Sequence, residues 1–264
     1  NVTGLFLTGG NGGLEAQTGK SWSVGFDFTP EFLPGFQLSV TRWSNELRGG
    51  ITAPVPSLVL GSSDLSYLIQ FYPTGATPAQ IASAAAGLPQ TGALNANTYF
   101  IYNFQQRNIL NLDVAGYDVS ATYAFDTGIG DFVLGAAYTY KDKFDQFFGE
   151  TGTKFSVLGT AGFNTTFPSV KNEGRLSVRY GNGAFSANAY YNYLGSYQNW
   201  SGSTAVPLVR VDGLPVSGGD PVDSFGTLDL NLSYRFQDLW FSRETQLFVD
   251  ATNVLDEDPP QYNT

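Results

Sequence analysis

Along most of the chain, apolar side chains recur at every second residue. In "KSWSVGFDFT", Trp22, Val24, Phe26 and Phe28 fall on one side and Ser21, Ser23, Gly25, Asp27 and Thr29 on the other. A period of two is the signature of a β-strand with two unlike faces. "PEFLPG" turns the chain, and "FQLSVTRW" returns with Phe36, Leu38 and Val40 in phase. In "ILNLDVAGYDVSATYAF" the apolar phase runs through Leu110, Leu112 and Val114, slips by one, and resumes at Tyr117, Val119, Ala121, Tyr123 and Phe125. One extra residue at a bulge near Ala115-Gly116 accounts for such a slip. The same alternation continues in "DFVLGAAYTYK", "SVKNEGRLSVRY", "AFSANAYYNYLG", "TLDLNLSYRF" and "TQLFVDATNVL". The pattern predicts about eight strands, near residues 20–29, 36–46, 108–126, 131–142, 169–181, 184–196, 225–236 and 245–255.

The connections alternate in length. Short ones lie near residues 30–35, 126–131, 181–184 and 237–244; long ones lie near 47–106, 143–167 and 197–222. The charges on the strands sit opposite the apolar faces: Asp27, Asp118, Lys171, Glu173, Arg175, Arg179, Asp229, Arg235 and Asp250. Arg42 and Asn172 are the doubtful positions on the apolar faces. Aromatic residues gather towards strand ends, as at Trp22, Tyr123, Tyr138, Tyr140, Tyr180 and Tyr234. A lipid-facing band between two aromatic girdles has this form, and strands of about 9–11 residues match a tilted bilayer span. The fold class expected is therefore all-β: an antiparallel, up-and-down transmembrane β-barrel. A soluble β-sandwich also alternates and stands as the other reading.

Charged residues make up 14% of the chain, below the roughly 25% of a soluble domain, which favours the membrane reading. The net charge is −10 and no basic cluster offsets it, so no nucleic-acid partner is expected. Cysteine, histidine and methionine are absent. Without imidazole or thiol no nucleophile–base–orienter set can be assembled, so the chain is not read as an enzyme. No metal site or cofactor is expected either. Asp256, Glu257 and Asp258 in "DEDPP" do not have the spacing of a calcium loop, and "GGNGG" neither follows a strand nor opens a helix.

Short periplasmic turns and long extracellular loops give such barrels their orientation. With eight strands, both chain ends then fall on the outer side. An open edge would leave on the order of five unpaired backbone groups per strand in lipid, at several kcal/mol each. Further strands are therefore expected beyond both ends.

"LDLNLSYRF" followed by "LFVDATNVLDEDPPQYN" resembles the C-terminal end of TonB-dependent outer-membrane receptors, whose Asn-Leu-Phe-Asp-x-x-Pro-Pro type motif is echoed by Asn253, Val254, Leu255, Asp256, Pro259 and Pro260. "GLEAQTGKSWSVGFDFTP" is similar to another segment of that family, with Ala16 in place of its proline, and "RNILNLDVAGYDVSATYAF" to a third. The resemblance covers essentially the whole chain in the family's order. It implies a barrel of about 22 strands, of which this chain would supply roughly the fourteenth to the twenty-first, with the plug domain and the closing strand outside it. It further implies a bacterial outer-membrane location and contact with outer-membrane lipid, the plug and the remaining strands. Active import of a scarce nutrient would be driven by TonB with ExbB and ExbD through the missing N-terminal part. A siderophore–iron complex is the first expectation for the small-molecule substrate; carbohydrate or cobalamin are alternatives, and a passive porin or structural barrel is the competing class.

The candidate substrate-binding residues are the loop aromatics Tyr67, Phe71, Tyr72, Tyr99, Tyr102, Phe147, Phe148 and Trp200, whose rings can stack on a sugar or an aromatic chelator. Packing within the loops is the alternative role for each. Lys171, Glu173, Arg175, Arg179, Asp229, Arg235 and Asp250 are expected to face the lumen. They either meet the plug or an anionic substrate, or neutralise one another, with Asp118, across the wall. In the longest loop, "TPAQIASAAAG" predicts a short helix with Thr77 as N-cap, Pro78 at N1, Gln80 at N3 and Gly87 as its stop. Its apolar residues Ile81, Ala84 and Ala85 are expected to pack the loop onto itself.

Overall fold

The computed structural model describes residues 3–61, 63–161, 168–200, 208–209, 215–216 and 218–260. Eight long strands among them form one antiparallel, up-and-down sheet: β2 (Thr18–Phe28), β3 (Phe36–Thr52), β6 (Arg107–Thr127), β7 (Gly130–Phe148), β9 (Asn172–Asn182), β10 (Phe185–Leu194), β15 (Phe225–Leu239) and β16 (Ser242–Ala251). Their order is β16-β15-β10-β9-β7-β6-β3-β2, so every long strand lies beside its neighbour in the sequence. A short strand β1 (Thr3–Leu7) precedes β2, and the other short strands belong to the long connections: β4 (Ile69–Phe71), β5 (Thr98–Asn103), β8 (Phe155–Ser156), β11 (Tyr197–Trp200), β12 (Leu208–Val209), β13 (Pro215–Val216) and β14 (Gly218–Val222). Among the described residues no helix is long and apolar enough to cross a membrane.

The chain divides into two compact units. One comprises residues 1–20, 45–113 and 145–155; the other comprises 21–44, 114–144 and 156–264.

In the second unit the register turns the period-two pattern into continuous rows. Leu134, Val178, Ala189, Leu230 and Ala251 oppose one another across five strands, and Phe132, Tyr180, Ala187, Leu232 and Val249 form the next row. A slip of one residue in any strand would carry its apolar set to the other face, so this register follows from the sequence itself. At the end of the short turns, rings form a chain of contacts: Tyr123 stacks on Phe125 within β6 (5.0 Å between centroids), Phe125 stacks on Phe132 of β7 (5.4 Å), Phe132 tilts against Tyr180 of β9 (4.9 Å), and Tyr180 lies near Phe185 of β10 (6.1 Å). The two doubtful residues on the apolar face are both partnered. Arg42 donates to Asp142 at 2.8 Å and lies over the Tyr117 ring at 4.6 Å, and the Tyr138 hydroxyl donates to Asn172 at 2.6 Å.

The opposite face carries rows of polar side chains. Asn188 donates to Asn231 (2.8 Å) and Asn231 to Asp250 (2.5 Å), while the Ser186 and Ser233 hydroxyls meet at 2.7 Å. Strand β6 stays continuous through the phase change at Ala115-Gly116, both of which are buried. Gly116 is required there by contact: a Cβ would stand 2.6 Å from the Tyr140 carbonyl oxygen and 2.8 Å from the Trp43 ring.

Several strand limits differ from the expected ones. β3 runs on to Thr52 and β7 to Phe148, shortening the expected loops 47–106 and 143–167. Alternation stops marking those extensions because Arg48, Gly49 and Gly50 interrupt it in β3, and Lys143, Asp145 and Gln146 place polar groups on both faces of β7, while the backbone ladder continues. β15 and β16 likewise extend to a tight turn, with Gln237 opposite Glu244 and Leu239 opposite Ser242, so the connection expected over 237–244 shrinks. β9 begins at Asn172 rather than near 169. Ser169 and Val170 belong to a packed turn instead: the Gly159 amide donates to the Ser169 carbonyl (2.6 Å), and Val170 is buried. β16 ends at Ala251, ahead of the prolines, because Asn253 adopts a left-handed φ of 50°. That turn is fastened by the Asn253 amide on Asp229 (3.0 Å) and the Val254 amide on the Leu228 carbonyl (2.8 Å).

The first unit has its own core of Val59, Leu65, Leu68, Tyr102 and Ile109. Its small sheet orders β1-β5-β4, with β1 parallel and β4 antiparallel to β5. Helix α1 (Pro56–Gly61), a 3-10 turn (Ser63–Leu68) and helix α2 (Pro78–Ala84) complete it. α2 has the expected capping box: Thr77 accepts from the Gln80 amide at 3.3 Å, and the Gln80 side chain accepts from the Thr77 amide at 2.8 Å. Ile81 and Ala85 are buried, Ala84 partly so, and the loop is thereby packed onto itself.

Candidate functional site

The first unit encloses a cleft of about 1040 Å³. Its walls come from five separated stretches of chain, at residues 15–18, 48–49, 64–67, 108–111 and 147–154. Side-chain amides hold these stretches together. Asn108 accepts from the Glu15 amide (2.8 Å) and donates to the carbonyls of Glu15 (2.8 Å) and Gly49 (2.7 Å). Asn111 accepts from the Gly49 amide (3.2 Å) and donates to the Gly149 carbonyl (2.8 Å). Both amides are thus committed to backbone groups, which in a buried segment must find partners.

At the base of the cleft lies a charged cluster. The Asp113 carboxylate, 7% exposed, accepts from Arg48 and from Lys154, each at 2.6 Å. Arg48 also meets Glu46 at 3.3 Å and donates to the carbonyls of Leu47 (3.0 Å) and Leu112 (2.9 Å). Both cations also lie against the ring of Phe147, at 5.2 Å for the guanidinium and 4.8 Å for the ammonium. An aromatic face attracts a cation through its quadrupole, so Phe147 and Asp113 hold the same two side chains from different sides. Tyr67 stands at the mouth, 62% exposed, with the Arg107 guanidinium 6.0 Å from its ring. Glu15, Asp64 and Glu150 complete the charged lining; Asp64 accepts from the Thr151 hydroxyl at 2.5 Å.

Of the aromatic residues expected to bind substrate, Tyr67 and Phe147 line this cleft. Tyr67 is exposed, with Arg107 over its ring, whereas Phe147 is buried against the two cations. Tyr102 does not reach a ligand surface: it is 2% exposed, sits in the core of the unit and donates its hydroxyl to the Pro54 carbonyl. Phe148 packs on that core and stacks with Phe155. Phe71 and Tyr99 are exposed, Phe71 tilting against Phe100 at 6.5 Å, and the Tyr72 hydroxyl donates to Gln70 at 2.8 Å. The side chain of Trp200 lies outside the described residues. Composition cannot separate a packing ring from a binding one; the alternation in "ILNLDV" does place Asn111 and Asp113 opposite Leu110 and Leu112, which is the signal for the buried cluster. Glu15, Arg48, Glu150 and Lys154 have no sequence signal linking them.

The charges expected to face the lumen have the following partners. Glu173 takes Lys141 (2.7 Å), and Arg235 meets Glu244 (3.4 Å). Asp229 accepts from Asn192 (2.8 Å), Asp250 from Asn231, and Asp118 from the Thr139 hydroxyl (2.7 Å). Arg175 lies 4.2 Å over the Tyr190 ring. Arg179 stands opposite Val133 and Asn188 in the ladder. Lys171 precedes β9, its aliphatic stem beside Gly159. Asp118, Asp229 and Asp250 are thus met by a hydroxyl or by side-chain amides, whereas Glu173 and Arg235 each pair with an opposite charge on the neighbouring strand.

Burial raises the Tyr102 phenol above its ordinary value of 10.0, since an anion there would lose its hydration. A raised value in the fold means stability that is complete below about pH 10 and is lost as pH climbs through the raised value. Hydrogen exchange over residues 53–106 of the intact protein should therefore speed up above pH 10, and the Tyr102→Phe variant should lose that alkaline step. An unchanged step in the variant would refute the assignment.

A search of curated proteins yields no sequence match. Among solved structures, a ferric enterobactin receptor (PfeA) mutant from Pseudomonas aeruginosa in complex with enterobactin aligns with a TM-score of 0.56 at 16% identity, over 97% of this chain and 29% of that one. The siderophore receptor PirA from Acinetobacter baumannii gives 0.54 at 19% identity, over 95% and 29%. The FrpB iron transporter from Neisseria meningitidis gives 0.52 at 13%, over 97% and 29%. These identities speak for a shared fold, and the chain spans 29% of the length of each of these receptors. The family model of the TonB dependent receptor-like β-barrel matches residues 1–254. With its up-and-down ladder of two-faced strands, the chain belongs to the TonB-dependent receptor β-barrel family.

Proposed function

We propose that this chain is part of the barrel wall and outer loops of a bacterial outer-membrane receptor that imports a scarce small-molecule nutrient by a TonB-dependent mechanism. The observation that carries the reading is the two-faced ladder, with apolar rows on one side and hydrogen-bonded amide and hydroxyl rows on the other. In lipid such a wall presents its apolar rows to acyl chains and its polar rows to a hydrated or plug-filled lumen. The partners implied are outer-membrane lipid, the receptor's own plug and remaining strands, and TonB with ExbB and ExbD. The cleft beside Tyr67 is the place where this chain meets substrate.

A siderophore–iron complex is the substrate suggested by the receptors named above, two of which are described as siderophore or ferric enterobactin receptors. Carbohydrate and cobalamin use the same mechanism. The energy requirement is tested in cells carrying the whole receptor, offered radioiron siderophores, labelled oligosaccharides and labelled cobalamin in turn. Uptake of the accepted nutrient should stop when the proton gradient is collapsed. Uptake that survives the collapse would identify a passive pore.

A further inference from the structure

Strand β6 alternates through the first unit, so Arg107, Ile109, Asn111 and Asp113 share a face. Asp113 closes the base of the cleft, Asn111 and Ile109 line it, and Arg107 stands at the mouth with its guanidinium 6.0 Å from the Tyr67 ring. Arg107 differs from the two cations at the base. Arg48 and Lys154 are each held by Asp113 at 2.6 Å, whereas Arg107 has no ion-pair partner among the described residues and its Nε is buried without a hydrogen bond. A buried donor left unpaired is unfavourable until an acceptor arrives.

The same cleft holds acids that lack a cation. Glu15 and Glu150 line it without an ion pair among the described residues, and Asp64 takes the Thr151 hydroxyl. The height of Glu150 is set by its neighbour: the Gly149 amide donates to the Ile109 carbonyl (2.9 Å), and the Gly149 carbonyl accepts from Asn111 (2.8 Å). Two to four strand residues, about 7–13 Å at roughly 3.3 Å each, therefore separate Arg107 from that level. A ligand of one sign cannot satisfy both ends. A polyanion suits Arg107 but is repelled by Glu15, Asp64 and Glu150, and a polycation meets the reverse difficulty. A carboxylate fits the guanidinium fork, and an ammonium, with three donors, fits a pair of acceptor-only carboxylates. An extended peptide advances about 3.3–3.6 Å per residue, so its charged ends lie about 10 Å apart at about three residues.

From Arg107, with its unpaired Nε at the mouth, and the unpaired Glu15 and Glu150 within, we propose that the ligand received in this cleft is dipolar: a short peptide whose carboxylate is held by Arg107 beside Tyr67 and whose ammonium end is held by the two acids. This rests on the reading that substrate enters the cleft, but it is tested without transport. The whole purified receptor in detergent is titrated with pools of tri- and tetrapeptides with uncharged side chains, in four forms: free-ended, N-acetylated, C-amidated and capped at both ends. Ferric tricatecholate is titrated beside them. The free-ended pool should bind most tightly, and each cap should weaken it about tenfold. Arg107→Gln should abolish the effect of the C-terminal cap while keeping that of the N-terminal one, and Arg107→Lys should restore part of it. Glu15→Gln with Glu150→Gln should do the converse. The effect each variant retains shows that its cleft is still folded. Caps without effect, both effects lost together in either variant, ferric tricatecholate bound more tightly than the free-ended pool, or no pool bound more tightly than about 1 mM would each overturn the proposal. Binding in detergent needs neither TonB nor a gradient, so uptake that survives collapse of the gradient would refute energised import and leave this result standing.

Discussion

Replacing Leu230 by arginine is expected to destabilise the folded receptor in lipid by about 2–4 kcal/mol, among the largest effects a single substitution in this wall can produce. Leu230 lies in the middle of β15, opposite Ala189 on one side and Ala251 on the other, within the row that begins at Leu134. The flanking alanines provide neither a carboxylate nor a long apolar stem, so an introduced guanidinium would have to desolvate or drag water into the acyl layer. Arg42 shows by contrast what makes an arginine tolerable on this face: Asp142 and the Tyr117 ring both attend it. The control is Asn231→Arg, one residue along on the polar face. It breaks the hydrogen bonds to Asn188 and Asp250, each worth about 1 kcal/mol net, yet keeps its charge beside Asp250 and out of lipid. Denaturant unfolding of the intact receptor in lipid vesicles measures both; equal losses would refute the assignment of faces.

That assignment was legible in the sequence because lipid and lumen impose opposite demands on successive residues. Wherever they do so, as through Leu228, Asp229, Leu230, Asn231 and Leu232, the strand, its register and its faces follow together. The extensions of β3 and β7 were not legible, since past Ser44 and Asp142 neither face has to be apolar and hydrogen bonding alone carries the strand onward. At the far end of the chain the expected strand near 245–255 stops at Ala251, where the left-handed Asn253 and its bond to Asp229 end it well before Pro259 and Pro260.

The cleft was legible only in fragments. Tyr67 could be named as a candidate, but so could Tyr102 and Phe148, and their difference is burial, which composition does not report. Joining Glu15 to Asn108 requires contact across 93 residues, and Lys154 reaches Asp113 across 41. Such contacts depend on how the long connections fold back on the strands that bear them, so local pattern carries no trace of them.

The second large effect is expected at Asp113. Its carboxylate is the most enclosed charge of the cluster, and two cations with side chains 37% and 51% exposed converge on it at 2.6 Å. Asp113→Ala would leave Arg48 and Lys154 facing each other over Phe147 with no anion between them. Removing one partner of a buried ion pair costs about 3–5 kcal/mol, and because both cations retain some water the loss here falls below that range, at about 2–3 kcal/mol. The loss should be local, falling on the first unit. Hydrogen exchange should rise at residues 45–52, 107–113 and 147–155, while the rows around Leu230 remain protected. Lys154→Ala should cost far less, because Arg48 continues to satisfy Asp113 and the exposed ammonium has water as its alternative. Were Lys154→Ala as damaging as Asp113→Ala, the cluster would be a pair of independent salt bridges rather than a buried anion shared by two cations.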